Sequence, residues 1–198
     1  MVTSLTGKSI VEIMKVHRGQ CLFSEDGLKL EYGDLVETIE EFGKQLSSID
    51  MENNKICALV LPNGVDMAIS FLALANYVTV SPLNPNYTKE EFLFFLEDLD
   101  CEFIITDNSA SNSLLEAAKQ LKIKLFYLNN YSPKKRLSIK SLLTPSKCSL
   151  DQNRADDICL ILHTSGTTSR PKQVQLSCVN IISSALNIAG VLKLEKKD

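Results

Sequence analysis

Short apolar runs alternate with amphipathic stretches through the middle of the chain. Residues 56–61 (ICALVL) have no polar break. Such a run suits a strand covered on both faces, as in a parallel sheet. Pro62 and Asn63 stop it, and Asn63 is placed to cap a helix over 64–76, with Asp66 favourable at its positive end. That helix is apolar nearly all round, which predicts burial. A second strand is predicted over 78–80, followed by the turn Pro82-Leu83-Asn84-Pro85-Asn86-Tyr87. Thr88 and Glu91 have the spacing of a capping box for the next helix. Phe92, Phe95, Leu96 and Leu99 recur at i, i+3, i+4 and i+7 and define its core face. A third strand over 102–106, a helix over 111–121 and a fourth strand over 123–128 continue the rhythm. Repeated strand–helix units predict an α/β fold: a doubly wound, mostly parallel sheet with flanking helices.

The N-terminal part reads as a packed appendage. Leu22-Phe23 and residues 28–30 flank Glu25-Asp26-Gly27, a hairpin signal. Leu35, Ile39, Phe42 and Leu46 then form the apolar stripe of an amphipathic helix.

Composition narrows the class. The 198 residues are 44% hydrophobic and 23% charged, which excludes general disorder and fits one ordinary domain or two small ones. A formal net charge of -3 argues against nucleic acid as a partner. Cys21, Cys57, Cys101, Cys148, Cys159 and Cys178 are scattered, several within apolar runs. They read as reduced core thiols and not as a disulfide framework. Residues 1–16 lack a continuous apolar segment of the secretory type. The most apolar stretch, 67–80, is interrupted by Ser70, Asn76 and Thr79 and is too short to span a bilayer. No membrane partner is expected. Residues 121–150 carry Lys122, Lys124, Lys134, Lys135, Arg136, Lys140 and Lys147 and no acidic side chain. They read as a solvated connecting loop in preference to a phosphate-attracting patch.

One segment stands apart. Residues 156–162 (DDICLIL) run as a buried strand into His163-Thr164-Ser165-Gly166-Thr167-Thr168-Ser169-Arg170-Pro171-Lys172. Small, mostly hydroxylic residues after an apolar strand make a phosphate cradle. Gly166 lets backbone approach an anion closely. Hydroxyls and backbone N–H groups donate to phosphate oxygens without bulk. Lys172 adds positive charge, and Pro171 stiffens the bend before it. The segment is neither a Walker A loop nor G-x-G-x-x-G, because Gly166 has no glycine partner at the required spacing. The alternative is a Ser/Thr-rich turn without function. Beyond it, Val174 and Leu176 alternate as a short strand, and Ser177 caps a helix with Ile181, Ile182, Ala185, Ile188 and Ala189 as its core face.

The Thr164–Lys172 segment resembles the phosphate-binding signature of the adenylate-forming superfamily, which comprises acyl-CoA synthetases, luciferases and peptide-synthetase adenylation domains. Tyr32-Gly33-Asp34-Leu35, Val60-Leu61-Pro62-Asn63, Leu83-Asn84-Pro85-Asn86-Tyr87, Glu90-Glu91-Phe92, Asn180 and Asn187-Ile188 extend the resemblance in matching order. Ser169-Arg170, in place of the commoner Gly-x, is most similar to the oxalate–CoA ligase branch of plants and fungi.

The resemblance implies an ATP-dependent carboxylate–CoA ligase. A carboxylate attacks the ATP α-phosphate to give an acyl-adenylate and pyrophosphate, and the thiol of coenzyme A then displaces AMP. ATP with Mg²⁺, coenzyme A and a small carboxylic acid are the implied cofactors and partners. Thr164, Ser165, Gly166, Thr167, Thr168 and Ser169 would bind the ATP phosphates, with Lys172 near the β/γ oxygens. His163 is expected to be positional at the strand end, and His17 a surface residue. No residue of this chain is assigned a catalytic or metal-ligating role.

Two departures from the family pattern matter. Gln173 stands where the family usually has glycine, and is expected to distort or crowd the loop; Gln175 stands where this branch tends to have proline. In addition, the family's acyl pocket, adenine-binding motif and mobile C-terminal domain have no counterpart in residues 1–198. The expectation is an N-terminal portion of an AMP-binding domain, ending after the phosphate loop and its following helix. On its own it is expected to be inactive, with apolar surface uncovered around Leu160 and Ile182. The competing expectation is a non-catalytic truncated paralogue or fragment with at most weak nucleotide or partner binding. A cytoplasmic location is expected, a peroxisomal one being left open.

Overall fold

The structure, a computed structural model, describes residues 9–24, 27–49, 55–129, 137–140, 150–164 and 171–194. Helix α1 (Ile10–Met14) leads into the antiparallel pair β1 (Gln20–Phe23) and β2 (Lys29–Glu31), the hairpin that the sequence signalled. Helix α2 (Tyr32–Ser48) follows, with Leu35, Ile39, Phe42 and Leu46 all buried.

Then the strand–helix alternation begins. It comprises β3 (Ile56–Val60), α3 (Val65–Ala75), β4 (Thr79–Pro82), α4 (Lys89–Asp98), β5 (Phe103–Thr106), α5 (Asn112–Leu121) and β6 (Lys124–Asn129). Strand β7 (Ser138–Lys140), the hairpin β8 (Ile158–Thr164) and β9 (Lys172–Ser177), and α6 (Cys178–Leu192) complete the described chain. The seven-stranded sheet has the order β7-β6-β5-β3-β4-β8-β9. Its five inner strands are parallel and its two edge strands antiparallel.

Side-chain alternation along the strands sorts the core into two layers. Cys57, Leu59, Phe103 and Ile105 join one cluster with α2 and α3. Ala58, Val60 and Ile104 join the other with α4 and α5. Helix α2 therefore covers one sheet face beside α3. The N-terminal part is a structural layer of the domain, which corrects its reading as an appendage.

The cap at α4 is as expected. The Thr88 N–H donates to Glu91 Oε2 at 2.8 Å, and the Glu91 N–H to Thr88 Oγ1 at 3.2 Å. The cap at α3 is not. Gly64 occupies the N-cap at φ 154°, and no side chain closes the turn, so Asn63 is released toward the surface. The basic stretch is also more than a loop, because its Leu137 is buried and its residues 138–140 pair with β6. Lys134, Lys135, Arg136 and Lys147 lie outside the described residues.

Cys57, Cys101, Cys159 and Cys178 are buried and Cys21 is half-buried; all five are free thiols. Burial pushes the Cys101 thiol up to about 12, which leaves it unreactive at neutral pH. Cys148 lies outside the described residues. Among the described residues no helix is long and apolar enough to cross a membrane.

Two asparagines tie the outlying segments to this frame. Asn76 Oδ1 accepts the Val11 N–H at 3.0 Å, and Asn153 Nδ2 donates to the carbonyls of Ala75 at 3.0 Å and Val78 at 3.4 Å. Asn153→Ala strands those buried carbonyls. A loss of about 1–3 kcal/mol is expected from urea titration; an unchanged midpoint would contradict the assignment.

Candidate phosphate-binding site

The doubly wound order places a divergence at the middle of the sheet. After β3 the chain turns into α3 on one face; after β4 and β5 it turns into α4 and α5 on the other. Crevices form at such points, beyond the carboxyl ends of the strands. Here a cleft of about 680 Å³ opens there, with Asn63, Asn84, Asn86, Ser109 and Ser111 among its polar lining residues. Asn84 is fixed by accepting the Asn86 N–H at 3.0 Å.

Strand β8 runs parallel to β4, so it ends at this same carboxyl edge. Its antiparallel partner β9 brings the chain back, with Leu162 opposite Val174, His163 opposite Gln173 and Thr164 opposite Lys172. Thr164 and Lys172 thus close the two ends of the hydroxyl-rich segment, and Thr164 Oγ1 donates to the Lys172 carbonyl at 3.4 Å. Both side chains are exposed at the edge. Ser165, Gly166, Thr167, Thr168 and Ser169, the other expected phosphate ligands, lie outside the described residues. Of the seven, Thr164 and Lys172 are therefore the two the structure brings together.

The hairpin is attached to the sheet by an unusual seam. Val80 against Leu160 is the registered Cα pair between β4 and β8. Two hydroxyls supplement it: Thr79 Oγ1 donates to the Ile158 carbonyl at 2.7 Å and Ser81 Oγ to the Ile161 carbonyl at 3.0 Å. Between these contacts the register of β8 against β9 shifts, with Cys159 the extra residue of a bulge. The neighbouring Cys178 thiol, together with burial, pushes the Cys159 thiol up. Asn180 has a capping role, accepting the Ser177 N–H at 2.9 Å.

Sequence reading missed a cluster at the mouth of the hairpin. Asp98 is the last residue of α4, and its Oδ2 lies 3.0 Å from His163 Nε2. Gln173 Nε2 donates both to that oxygen at 2.9 Å and to the Asp98 carbonyl at 2.5 Å. His163 also packs edge-on against Phe95, centroids 4.8 Å apart. Gln173 itself sits in β9 without a positive φ and with partners for its amide, while the loop it was expected to distort or crowd lies outside the described residues. The signal in the sequence was an aspartate in the last turn of a helix, the end that disfavours negative charge. His163 lies at the strand end as expected, and His17 is exposed.

Helix α6 departs from its expected burial. Cys178 is buried and Ile181 and Ile182 are partly so, but Ala185 is exposed and Ile188 is 54% exposed. Leu162, Val174, Leu186, Val191 and Leu192 are exposed as well, as anticipated around Ile182, whereas Leu160, expected to be uncovered too, is buried in the core.

This sheet, with its cleft and hairpin on one edge, is the architecture of adenylate-forming enzymes. The chain superposes on o-succinylbenzoate CoA synthetase from Bacillus subtilis, solved with its acyl-adenylate intermediate, with a TM-score of 0.76 at 21% identity, covering 98% of this chain and 48% of that one. The AMP-binding enzyme profile matches residues 14–198, and the chain belongs to that family. It is 37% identical over 180 residues to oxalate–CoA ligase from Arabidopsis thaliana, covering 85% of this chain and 34% of the relative. It is 34% identical over 166 residues to oxalate–CoA ligase from Saccharomyces cerevisiae, covering 71% and 31%. The chain thus spans about a third of the length of these relatives.

Proposed function

We propose that this chain supplies the N-terminal part of the AMP-binding domain of an ATP-dependent carboxylate–CoA ligase, with oxalate as the acid. The observation that carries the reading is the Thr164–Lys172 pair, which holds both ends of the hydroxyl-rich segment at the carboxyl edge of a doubly wound sheet. The relatives' names support the reaction class and the acid.

In this reaction the substrate carboxylate attacks the α-phosphate of ATP and pyrophosphate departs. The leaving group gathers negative charge as the bond breaks. Donors already aimed at it lower the barrier without reorganising. Thr164, Ser165, Gly166, Thr167, Thr168 and Ser169 would bind the phosphates, and Lys172 would supply the compensating positive charge. The thiol of coenzyme A then displaces AMP from the acyl-adenylate. Mg²⁺ would enter with the nucleotide, whose phosphate oxygens are its usual ligands.

The test joins residues 1–198 to the remaining two-thirds of a homologous oxalate–CoA ligase and measures oxalate-dependent ATP–pyrophosphate exchange. Exchange is expected. Lys172→Ala, at an exposed side chain, should slow it about tenfold, less than a buried donor would, and Thr167→Ala should slow it as well. Unchanged rates in both variants would remove the loop assignment. Exchange driven by other acids but not by oxalate would remove the acid alone. Absence of exchange would favour a non-catalytic chain with at most weak nucleotide binding.

A further inference from the structure

We propose that Asp98 is a positioning residue that sets the mouth of the phosphate-binding hairpin from the end of α4. The inference rests on the phosphate-loop reading above and concerns what holds that loop's anchors in place.

Three observations support it. First, Asp98 contacts both strands of the hairpin: His163 on β8 through Oδ2 at 3.0 Å, and Gln173 on β9 through Oδ2 at 2.9 Å. These two residues are directly opposed and immediately precede and follow the Thr164–Lys172 pair on their strands. A shift of Asp98 therefore moves both anchors together.

Second, the contact satisfies a helix end. The last carbonyls of a helix lack intrahelical partners. Gln173 Nε2 donates to the carbonyl of Asp98, so a β9 side chain serves as a cap for α4. The glycine usual at this position of the family could make no such bond.

Third, Asp98 is electrostatically out of place in its own helix. A carboxylate in the last turn opposes the helix dipole. Donors from the hairpin offset that penalty, so docking of the hairpin stabilises Asp98. Phe95, one turn earlier in α4, packs edge-on against the His163 ring and limits its rotation. The His163 side chain is 7% exposed, which shields its end of the contact from water.

Lys172 and Thr164 can meet a polyphosphate only with the hairpin mouth at the correct width. Orientation of this kind is lost steeply with small displacements. Asp98 touches no phosphate itself and acts through the two strands.

The experiment is calorimetric titration of the full 198-residue chain with inorganic tripolyphosphate, with amide hydrogen exchange recorded on the same samples. Asp98→Ala should weaken binding about five- to tenfold, the effect of losing hydrogen bonds to a charged group. Exchange at residues 162–164 and 172–174 should accelerate while the thermal midpoint stays near that of the wild type. Asp98→Asn, whose amide oxygen in the Oδ2 position can accept from Gln173 and from a His163 protonated at Nε2, should restore most of the affinity. Gln173→Ala should weaken binding, and the double variant with Asp98→Ala should lose less than the sum. Wild-type affinity in Asp98→Ala, alongside weakened binding in Lys172→Ala, would overturn the positioning role alone. Absence of wild-type binding, or binding indifferent to Lys172→Ala, would overturn the phosphate-loop reading and the positioning role with it.

Discussion

Replacing Phe92 by alanine is expected to lower the unfolding free energy by about 3–5 kcal/mol, as for other buried phenylalanines. Phe92 is fully buried in the layer that α4 and α5 build on the sheet. Its ring meets Tyr87 edge-on, centroids 5.7 Å apart, so aromatic contact is lost along with apolar area. The site cannot collapse easily. Phe95, Leu96 and Leu99 already occupy the rest of the α4 face, and Ala58 and Ala117 leave little side chain to move into the void. A loss of that size is a large part of the total stability of an ordinary domain, about 5–15 kcal/mol. Urea titration followed by circular dichroism measures it. A loss below about 1 kcal/mol would mean that α4 does not form this layer.

Gly43→Ala should destabilise the protein by about 2 kcal/mol even though it removes a glycine from the interior of α2. Helix propensity alone favours alanine by about 1 kcal/mol. Packing opposes it. A Cβ at position 43 would meet the Tyr77 ring, 2.5 Å from its Oη and 2.7 Å from Cε2. Tyr77 is 5% exposed and cannot swing into solvent without uncovering the core. Burial pushes its phenol up, although a bond to Gln152 opposes this. Overpacking of a buried ring costs about 1–3 kcal/mol or more, which exceeds the propensity gain. The compensating variant Tyr77→Leu should make the alanine at 43 tolerable, giving a strongly non-additive double-mutant cycle. Equal effects of Gly43→Ala in both backgrounds would show that the ring is not what requires glycine.

Local chemistry made much of this fold legible in the sequence. The capping box of Thr88 and Glu91, the α4 stripe from Phe92 to Leu99 and the run over 56–61 each depend on near neighbours, and each appears as expected. The hydroxyl-rich segment stood out for the same reason, as a composition that no packed strand or helix would carry, and its ends Thr164 and Lys172 meet as a pair; its role toward phosphate is the proposal made above.

The features that were not legible depend on residues far apart in the chain. Asp98 meets Gln173 across 75 positions, and Asn153 meets Ala75 across 78. Nothing near Asp98 in sequence announces a partner; only its poor fit with the helix dipole marks it. The apolar face assigned to α6 was correct in period, yet periodicity states which side is apolar and not whether anything lies against it. Ile188 and Val191 accordingly stand exposed. Asn63 had the chemistry of a cap, but Gly64 at φ 154° took the position because backbone geometry decided it.

The stitching between β4 and β8 gives the sheet one weak lamination. The other parallel pairs are registered along their length, whereas β8 meets β4 at one registered Cα pair supplemented by the hydroxyls of Thr79 and Ser81. Under mild stress a structure opens first where its backbone ladder is thinnest. The outer two strands would then peel away together, carrying Thr164 and Lys172 with them while the inner core stays closed, so the proposed phosphate binding would fade before the bulk of the fold melts.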